Sequence, residues 1–244
     1  MESVTVEKNN IVKIKNLSHD YGDKLIYYNL NLTIEKGSVF GLLGKNGVGK
    51  STLINILMGY LKPKSGECLI LGEPSHNLPA DTKKQIALLH EGFISYDYMS
   101  IEQVEKFFRP FYDRWREELF YDLVDLMGLD YSQKLSTLSF GQKSQVVLGC
   151  LFAQDAKLMI LDDYSMGLDA GYRRLFTDYL KDYIKGTDKT VLITSHTMND
   201  LENLIDDMAI IQKGGLVHLD TMANFNADKS TTFEDKFLDF VGKY

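Results

Sequence analysis

Three short apolar runs stand out in the chain, at residues 38–43, 158–161 and 190–194. They carry too few polar side chains for strands with one face in water. They therefore predict strands buried on both faces, which are typical of a parallel sheet. The residues after the first run, 51–58, repeat apolar side chains at helical spacing. This alternation of strands and helices indicates an α/β fold.

The middle of the chain, residues 92–156, lacks strand signals and is predicted to be largely helical. Two helices are expected there, at 101–112 and at 117–127. The second should end at Gly128, since glycine is the usual residue just past a helix C-terminus.

Three further elements are predicted from local patterns. A turn rich in proline and glycine precedes residues 68–71, which are expected to form an edge strand. Lys213-Gly214-Gly215 separates the apolar residues 209–211 from 216–217, which predicts a hairpin. Residues 233–241 place three phenylalanines and a valine on one helical face, which predicts a helix in the C-terminal tail.

The chain has 244 residues, of which 44% are apolar, enough for one large α/β domain with an inserted subdomain. A formal net charge of −7 gives no basic footprint, so no nucleic-acid partner is expected. No tract approaches the roughly 20 apolar residues of a membrane span, and residues 1–7 do not resemble a signal peptide. Cys68 and Cys150 are expected to be reduced thiols in a cytosolic protein.

The first chemical motif lies between the first strand and the first helix, at Gly44-Lys45-Asn46-Gly47-Val48-Gly49-Lys50-Ser51. This strand–loop–helix context is the one that a phosphate-binding loop requires, and it argues against a chance glycine-rich turn. The glycines allow backbone N–H groups to turn inward, and the helix N-terminus adds a positive dipole end. Lys50 is expected to bind the β- and γ-phosphates, and the Ser51 hydroxyl to ligate Mg²⁺.

Acidic and imidazole side chains follow the other two buried strands. Asp162 and Asp163 end the second strand, at the sheet edge where such enzymes hold their metal. His196 follows the third strand and is expected at the same edge, in reach of a terminal phosphate. A histidine that merely caps the next helix is the alternative.

The second motif, Leu138-Ser139-Phe140-Gly141-Gln142, lies about a hundred residues after the first. A Ser-Gly-Gln element of this kind, behind a phosphate loop and ahead of an acidic strand end, gives the chain its resemblance to a known family. Over nearly all its length the chain looks like the nucleotide-binding subunit of an ABC transporter. The resemblance implies a P-loop NTPase core of the RecA-like type, a small antiparallel β subdomain and an inserted α-helical subdomain.

The resemblance also divides the chain, which is expected to be a single ABC ATP-binding domain. The core with its β subdomain would take residues 1–90 and 157–224, and the helical subdomain with the second motif 91–156. Residues 225–244 would form the tail helix.

The resemblance assigns roles to matching residues. Tyr21 corresponds to the aromatic residue that stacks on adenine, although an aromatic before a glycine is more often strand-end packing. Asp162 corresponds to the Walker B aspartate, Gly167-Leu168-Asp169 to the D-loop, and His196 to the switch histidine. Glu91 stands where the Q-loop glutamine usually lies.

The implied site then has three parts. Asp163, His196 and Glu91 would be catalytic, and Ser51, Asp162 and Glu91 would hold Mg²⁺. ATP would be bound by the remaining matched residues, which are Tyr21, Gly44, Lys45, Asn46, Gly47, Val48, Gly49, Lys50, Ser51, Thr52, Ser139, Gly141 and Gln142.

Four positions depart from the family pattern. Asp163 replaces the usual glutamate that orients the attacking water, which withdraws the carboxylate by about 1.5 Å and predicts slow hydrolysis. Tyr164 replaces a proline and loosens the turn that aims Asp163. Phe140 replaces a glycine beside Ser139, and Glu91 replaces a glutamine.

The resemblance implies an ATPase that works as a head-to-tail dimer, with two ATP molecules held between a phosphate loop and the partner's signature serine. Its partners would be a second ATP-binding subunit and integral membrane subunits, which place it on the cytoplasmic face of the cell membrane. Export of a peptide, antimicrobial or drug is favoured. The alternatives are a weakly hydrolysing, nucleotide-gated binding module and a soluble ABC ATPase outside transport.

Aromatic residues are frequent between 93 and 115. Most would pack in a core. The resemblance implies a groove for the membrane subunit, with Phe93, Tyr96, Tyr98 and Met99 as candidate contacts.

Overall fold

The computed structural model describes residues 9–90, 92, 96–163, 168–195, 201–227 and 230–242, the side chain of Val217 excepted. Two sheets and a group of helices make up this part of the chain. The strands are β1 (Asn10–Tyr21), β2 (Lys24–Glu35), β3 (Val39–Leu43), β4 (Ser65–Ile70), β5 (Glu73–Pro74), β6 (Ile86–Leu89), β7 (Leu158–Asp162), β8 (Thr190–Ser195), β9 (Asp207–Gln212) and β10 (Gly215–Thr221). The α-helices are α1 (Lys50–Leu57), α2 (Ala80–Lys83), α3 (Ile101–Phe108), α4 (Glu117–Leu126), α5 (Phe140–Ala153), α6 (Ala170–Ile184), α7 (Met222–Phe225) and α8 (Phe233–Val241).

The larger sheet has the strand order β10-β9-β3-β8-β7-β6. Its strands are parallel except β10, which runs antiparallel to β9. Every residue of β3 and β7 is buried. The reason is visible in β3, where Leu42 packs into the core shared with the smaller sheet and α1, while Leu43 packs into the core shared with α5 and α6. The three apolar runs are therefore strands of a parallel sheet, as predicted.

The smaller sheet is antiparallel, with the order β2-β1-β4-β5. The expectation that residues 68–71 form an edge strand is wrong, because β4 lies between β1 and the two-residue β5. Leu71 is also outside the strand, with φ 53°, and Gly72 has φ 85°. These two left-handed residues form a tight turn that folds Glu73 and Pro74 back onto β4.

The helical segment contains α3, α4 and α5 around a core of its own, which includes Ile101, Phe120 and Val146. The helix predicted at 101–112 is shorter than expected. The α-helix ends at Phe108, and a 3₁₀ turn covers Arg109–Phe111. Pro110 explains the change, because proline has no N–H to continue the α-helical hydrogen bonds. The end of α4 is as predicted, with Gly128 at φ 63° just past the C-cap.

The C-terminal elements agree with the sequence. β9 and β10 form the predicted hairpin, and α8 covers the predicted tail helix with Phe233 and Phe237 buried. Cys68 and Cys150 are both free and buried, and burial raises the pKa of the Cys68 thiol to about 11. In the part of the chain described by the structure, no helix is long and apolar enough to cross a membrane.

Candidate functional site

The glycine-rich loop connects β3 to α1, and its two central glycines have left-handed backbones. Gly47 has φ 80° and Gly49, the N-cap of α1, has φ 116°. Lys50 begins the helix and is almost completely buried. Its Nζ donates hydrogen bonds to the carbonyl oxygens of Gly44, at 2.7 Å, and Lys45, at 3.2 Å. The loop therefore curls around the lysine ammonium, as a phosphate loop does.

Tyr27 of β2 supports this loop from below. It is fully buried, and its hydroxyl donates a hydrogen bond of 2.7 Å to the carbonyl oxygen of Gly49. A Cβ atom at Gly49 would lie 2.6 Å from Ile26 Cγ2 and 2.9 Å from the Tyr27 hydroxyl. Gly49 is thus required twice, for its backbone angle and for this close approach.

Asp162 and Asp163 both form hydrogen bonds with Thr194 of the neighbouring strand β8. The Thr194 hydroxyl donates to Asp162 Oδ1 at 2.8 Å and accepts from the Asp163 backbone N–H at 3.0 Å. Asp162 is buried in strand β7, whereas Asp163 lies just beyond it and is half-buried. Asp163 adopts φ 51°, so the chain turns sharply at this carboxylate.

The loop and the acidic edge form one cleft of about 320 Å³. Tyr21, with about half of its surface exposed, lies at this cleft on the end of β1. The cleft is lined by Tyr21, Lys24, Ile26, Asn46, Gly47, Gly49, Lys50, Ser51, Thr52, Asp162 and Asp163. The structure therefore brings together the predicted adenine platform, the phosphate loop and both acidic residues.

Three residues of the first motif are placed away from the cleft wall. The Lys45 side chain donates from Nζ to the carbonyl oxygen of Gly242 at 2.8 Å. A Cβ atom at Gly44 would lie 2.7 Å from the Ile211 carbonyl oxygen, so this glycine permits close packing on β9. Val48 packs partly buried against the core beneath the loop.

The second motif begins helix α5. Ser139 is its N-cap, and Ser139 and Gln142 form a capping box: Ser139 Oγ accepts from the Gln142 N–H at 3.2 Å, and Gln142 Oε1 accepts from the Ser139 N–H at 2.9 Å. A Cβ atom at Gly141 would lie 2.5 Å from the Tyr172 ring of α6. Phe140 is half-exposed. These residues do not line the cleft of their own chain, and their local roles are helix capping and helix packing.

Several predicted residues lie outside the described part of the chain. These are Glu91, Phe93, Tyr164, Gly167 and His196. Next to them, Leu168 is buried, and Asp169 is the N-cap of α6, accepting from the N–H groups of Gly171 and Tyr172.

The oxygen donors in the cleft fit Mg²⁺. Ser51 offers a hydroxyl and Asp162 a carboxylate, which are hard ligands of the kind that Mg²⁺ prefers. Among the residues with described positions, no group of three or more His, Cys, Asp or Glu side chains could hold a metal. With Ser51 and Asp162 as protein ligands, Mg²⁺ would take its other ligands from phosphate and water, as is usual for this ion.

A larger cleft of about 540 Å³ lies elsewhere, next to the beginnings of strands β7 and β8 at Lys157 and Lys189. It contains none of the predicted site residues. Size therefore does not identify the site, whereas the convergence of the motifs does.

Tyr27 and Thr194 were not identified as site residues from the sequence. Thr194 is a hydroxyl residue that directly follows the apolar residues 191–193 near the carboxyl end of β8, and this position was a usable signal. Tyr27 gave none, since Ile26 and Tyr27 are both buried where strict alternation along β2 would expose one of them. The shift in register between β1 and β2 at this point depends on tertiary pairing.

A family model described as ABC transporter matches residues 27–165, more than half of the chain. The chain therefore belongs to the ABC transporter family, and its ATP-binding domain is of a kind that hydrolyses ATP.

Individual relatives agree with this assignment. The ABC transporter ATP-binding protein YhcH of Bacillus subtilis is 30% identical over 226 residues, covering 91% of this chain and 74% of the relative. The Nod factor export ATP-binding protein I of Sinorhizobium fredii is 31% identical over 83% of the chain and 60% of its own length. The probable multidrug ABC transporter ATP-binding protein YbhF of Escherichia coli is 27% identical over 95% of the chain and 42% of its own length. The chain thus spans less than two thirds of the last two relatives.

Solved structures confirm the fold. The ATP-binding subunit of an ABC transporter superimposes with a TM-score of 0.81 at 21% identity, covering 94% of this chain and 99% of that one. A bacterial Atm1-family ABC exporter with ATP bound gives a TM-score of 0.79 at 16% identity, covering 98% of this chain and 43% of that one. The P-loop NTPase fold that the resemblance implies is therefore confirmed.

Proposed function

We propose that this chain is the ATP-binding and ATP-hydrolysing motor of a membrane transporter, working with Mg²⁺. The observation that carries the proposal is the single cleft shared by the phosphate loop, Tyr21 and the two acidic residues. No separate pocket is needed for base, phosphates and metal.

The proposed roles follow from position. Lys50 supplies a positive charge at the loop, and the left-handed backbones of Gly47 and Gly49 would let N–H groups of the loop turn toward phosphate oxygens. Ser51 and Asp162 are the candidate Mg²⁺ ligands. When bound, the metal neutralises charge that builds up on the transferred phosphoryl group.

Tyr21 offers a half-exposed ring at the end of the cleft, suited to stacking on a planar base. Asp163, one residue past the strand, orients the attacking water. The sharp turn at Asp163 and its short side chain favour slow hydrolysis. The same observation supports the second candidate function, a nucleotide-gated binding module that hydrolyses ATP weakly.

A dimer would complete the site. Ser139 is exposed at the N-terminus of the 14-residue helix α5 and does not line the cleft of its own chain. Its hydroxyl accepts the capping bond, which leaves its hydrogen free to be donated to a phosphate oxygen. Ser139, Gly141 and Gln142 are therefore proposed to contact ATP held by a second ATP-binding subunit.

Membrane subunits are the proposed second partner, which would place the chain at the cytoplasmic face of the membrane. Tyr96 contacts Tyr98, Phe107 and Phe108 through their rings, and Tyr98 is 70% exposed. An aromatic cluster with an exposed edge is suited to anchoring a partner helix. Relatives named as Nod factor and multidrug export proteins favour export, and the cargo class remains peptide, antimicrobial or drug.

The test is Mg-ATP binding and hydrolysis by the purified chain and by Lys50→Ala. Loss of the buried ammonium should weaken ATP binding by about 10- to 100-fold, since it removes charge-assisted hydrogen bonds. Lys84→Ala is the matched control, because Lys84 forms a surface ion pair with Asp113 away from the cleft. Equal binding by the wild type and Lys50→Ala would refute the proposed nucleotide site.

A further inference from the structure

The end of the C-terminal helix contacts the phosphate loop directly. Lys45, the second residue of the loop motif, donates from Nζ to the carbonyl oxygen of Gly242, the C-cap of α8, at 2.8 Å. The two residues are 197 positions apart in sequence. We propose that α8 is a positioning element for the phosphate loop, acting through this lysine. The proposal rests on the nucleotide site proposed above.

Helix α8 is held firmly enough to act in this way. Phe233 and Phe237 are buried in the main core. At the end of the helix, Phe240 stacks on His218 of β10 with ring centres 4.3 Å apart, and its carbonyl oxygen accepts from Gln212 Nε2 of β9. Helix α8 is therefore held against the β9–β10 hairpin at Phe240, two residues before Gly242.

The backbone angles of Gly242 direct its carbonyl oxygen. With φ 77° and ψ 141°, Gly242 occupies a region that side-chain-bearing residues strongly disfavour. A β-branched residue at this position would rotate the peptide group away. The contact to Lys45 is thus specific to a glycine that follows the helix.

Lys45 in turn is part of the loop that holds Lys50. The carbonyl oxygens of Gly44 and Lys45 are the two acceptors of the Lys50 ammonium. Gly44 is packed against Ile211 of β9, and Gly49 is held by Tyr27. With Lys45 bound to α8, the loop is held by contacts at three residues, which are Gly44, Lys45 and Gly49.

A loop that is fastened before ATP arrives loses less conformational freedom when ATP binds. Lys45 does not line the cleft, so its side chain acts on the loop and not on phosphate. The Lys45–Gly242 bond therefore raises ATP affinity through the shape of the loop. Binding should change while the chemical step stays the same.

The test is a double-mutant cycle of Lys45→Met and Gly242→Val in the full chain. Lys45→Met keeps the aliphatic stem and removes the donor, and Gly242→Val displaces the acceptor. Each should raise the Kd and the KM for Mg-ATP by about threefold to tenfold, the loss expected for one hydrogen bond, with kcat unchanged. The double variant should resemble either single variant, since both remove the same contact. Lys45→Arg, which can still donate, should restore most of the affinity.

Gly186→Val is the matched control for backbone strain. Gly186 has φ 69° and, like Gly242, has open space where a Cβ atom would stand, but it follows α6. The Gly186→Val variant should leave ATP affinity unchanged. If Lys45→Met weakens binding and Gly242→Val does not, or if their effects add, Lys45 acts without α8 and the proposal is wrong. If the wild-type chain itself fails to bind ATP, the proposed function fails instead, so the two failures are distinguishable.

Discussion

At the scale of single residues, the two adjacent aspartates differ in their surroundings. Asp162 is buried and accepts a hydrogen bond from the Thr194 hydroxyl, which fixes one of its oxygens. Asp163 is half-buried beyond the strand, and Thr194 holds its backbone through the N–H group. Asp162 is thus suited to holding a negative charge at a fixed position. Asp163 is suited to aiming a water molecule, with its reach limited by side-chain length.

Asp163→Glu should therefore increase ATP turnover. The added methylene extends the carboxylate by about 1.5 Å. Since a misplacement of about 1 Å can cost on the order of 100-fold in rate, the gain should lie between a few-fold and about 100-fold. The measurement is kcat for Mg-ATP hydrolysis, with ATP affinity measured in parallel.

Asp162→Glu is the matched control, because the same methylene is added to a buried carboxylate already bonded to Thr194. It should lower turnover by crowding the strand end. Unchanged turnover in Asp163→Glu, at unchanged ATP affinity, would show that the backbone turn already compensates for the short side chain.

At the scale of elements, helices α3 and α4 are joined through one buried carboxylate. Glu105 is fully buried in α3. Its Oε1 accepts from Arg109 Nε at 2.8 Å and from Trp115 Nε1 at 2.7 Å, and its Oε2 accepts from Arg109 Nη2 at 2.9 Å. Arg109 also forms an ion pair with Glu117, the first residue of α4. Pro110, which ends α3 early, thus lies between the two helices. The network around Glu105 holds them together across this turn.

Glu105→Ala should destabilise the chain by about 2–3 kcal/mol, because three hydrogen bonds to a charged group are lost and the Trp115 N–H loses its partner. Glu105→Gln keeps an acceptor for Trp115 and should give a smaller loss. The measurement is the free energy of unfolding from urea titration. Asp178→Ala, in an exposed pair with Arg174, should leave the unfolding midpoint nearly unchanged. A similar result for Glu105→Ala would show that the network contributes little.

Elements with strong periodicity were predictable, and those decided by tertiary pairing were not. The buried strands and helix α8 follow from apolar spacing, and the hairpin follows from the two glycines between its apolar segments. The position of β4 inside its sheet does not, because a turn at Leu71 adds the short strand β5. The early end of α3 was signalled by Pro110, but the apolar residues beyond it continued the helical spacing and hid the signal.

At the scale of the whole molecule, the sequence predicted the nucleotide site better than its supports. Glycine spacing and a strand end pointed to Lys50 and Asp162, the family resemblance pointed to Tyr21, and the fold brings all three residues to one cleft. Tyr27 and the Lys45–Gly242 bond were not predictable. Both join residues from distant parts of the chain, and no local pattern marks which side chain will meet which carbonyl oxygen.

The pH dependence of the whole fold should include a contribution from His19. This side chain is 4% exposed, and in the described part of the chain neither ring nitrogen has a hydrogen-bond partner. Burial lowers the pKa of His19 below its usual value of about 6.5, against the opposing effect of Asp20, and Lys64 lowers it further. The unfolded chain therefore binds this proton more readily than the folded chain. Stability due to neutral His19 is present above about pH 6.5 and is lost as the pH falls.

The measurement is the free energy of unfolding of wild type and His19→Phe between about pH 5 and 8. Phenylalanine keeps a ring at the edge-to-face contact with Tyr21, whose ring centre lies 4.9 Å away, and it cannot take up a proton. The two chains differ only at position 19, so the difference between the two profiles reports His19 alone. Wild type should lose stability relative to His19→Phe as the pH falls through the 6.5 region, because only the wild type carries a buried ring whose protonation favours the unfolded chain. Parallel profiles would mean that His19 reaches solvent readily, and that the end of β1 beside the cleft opens in the folded state.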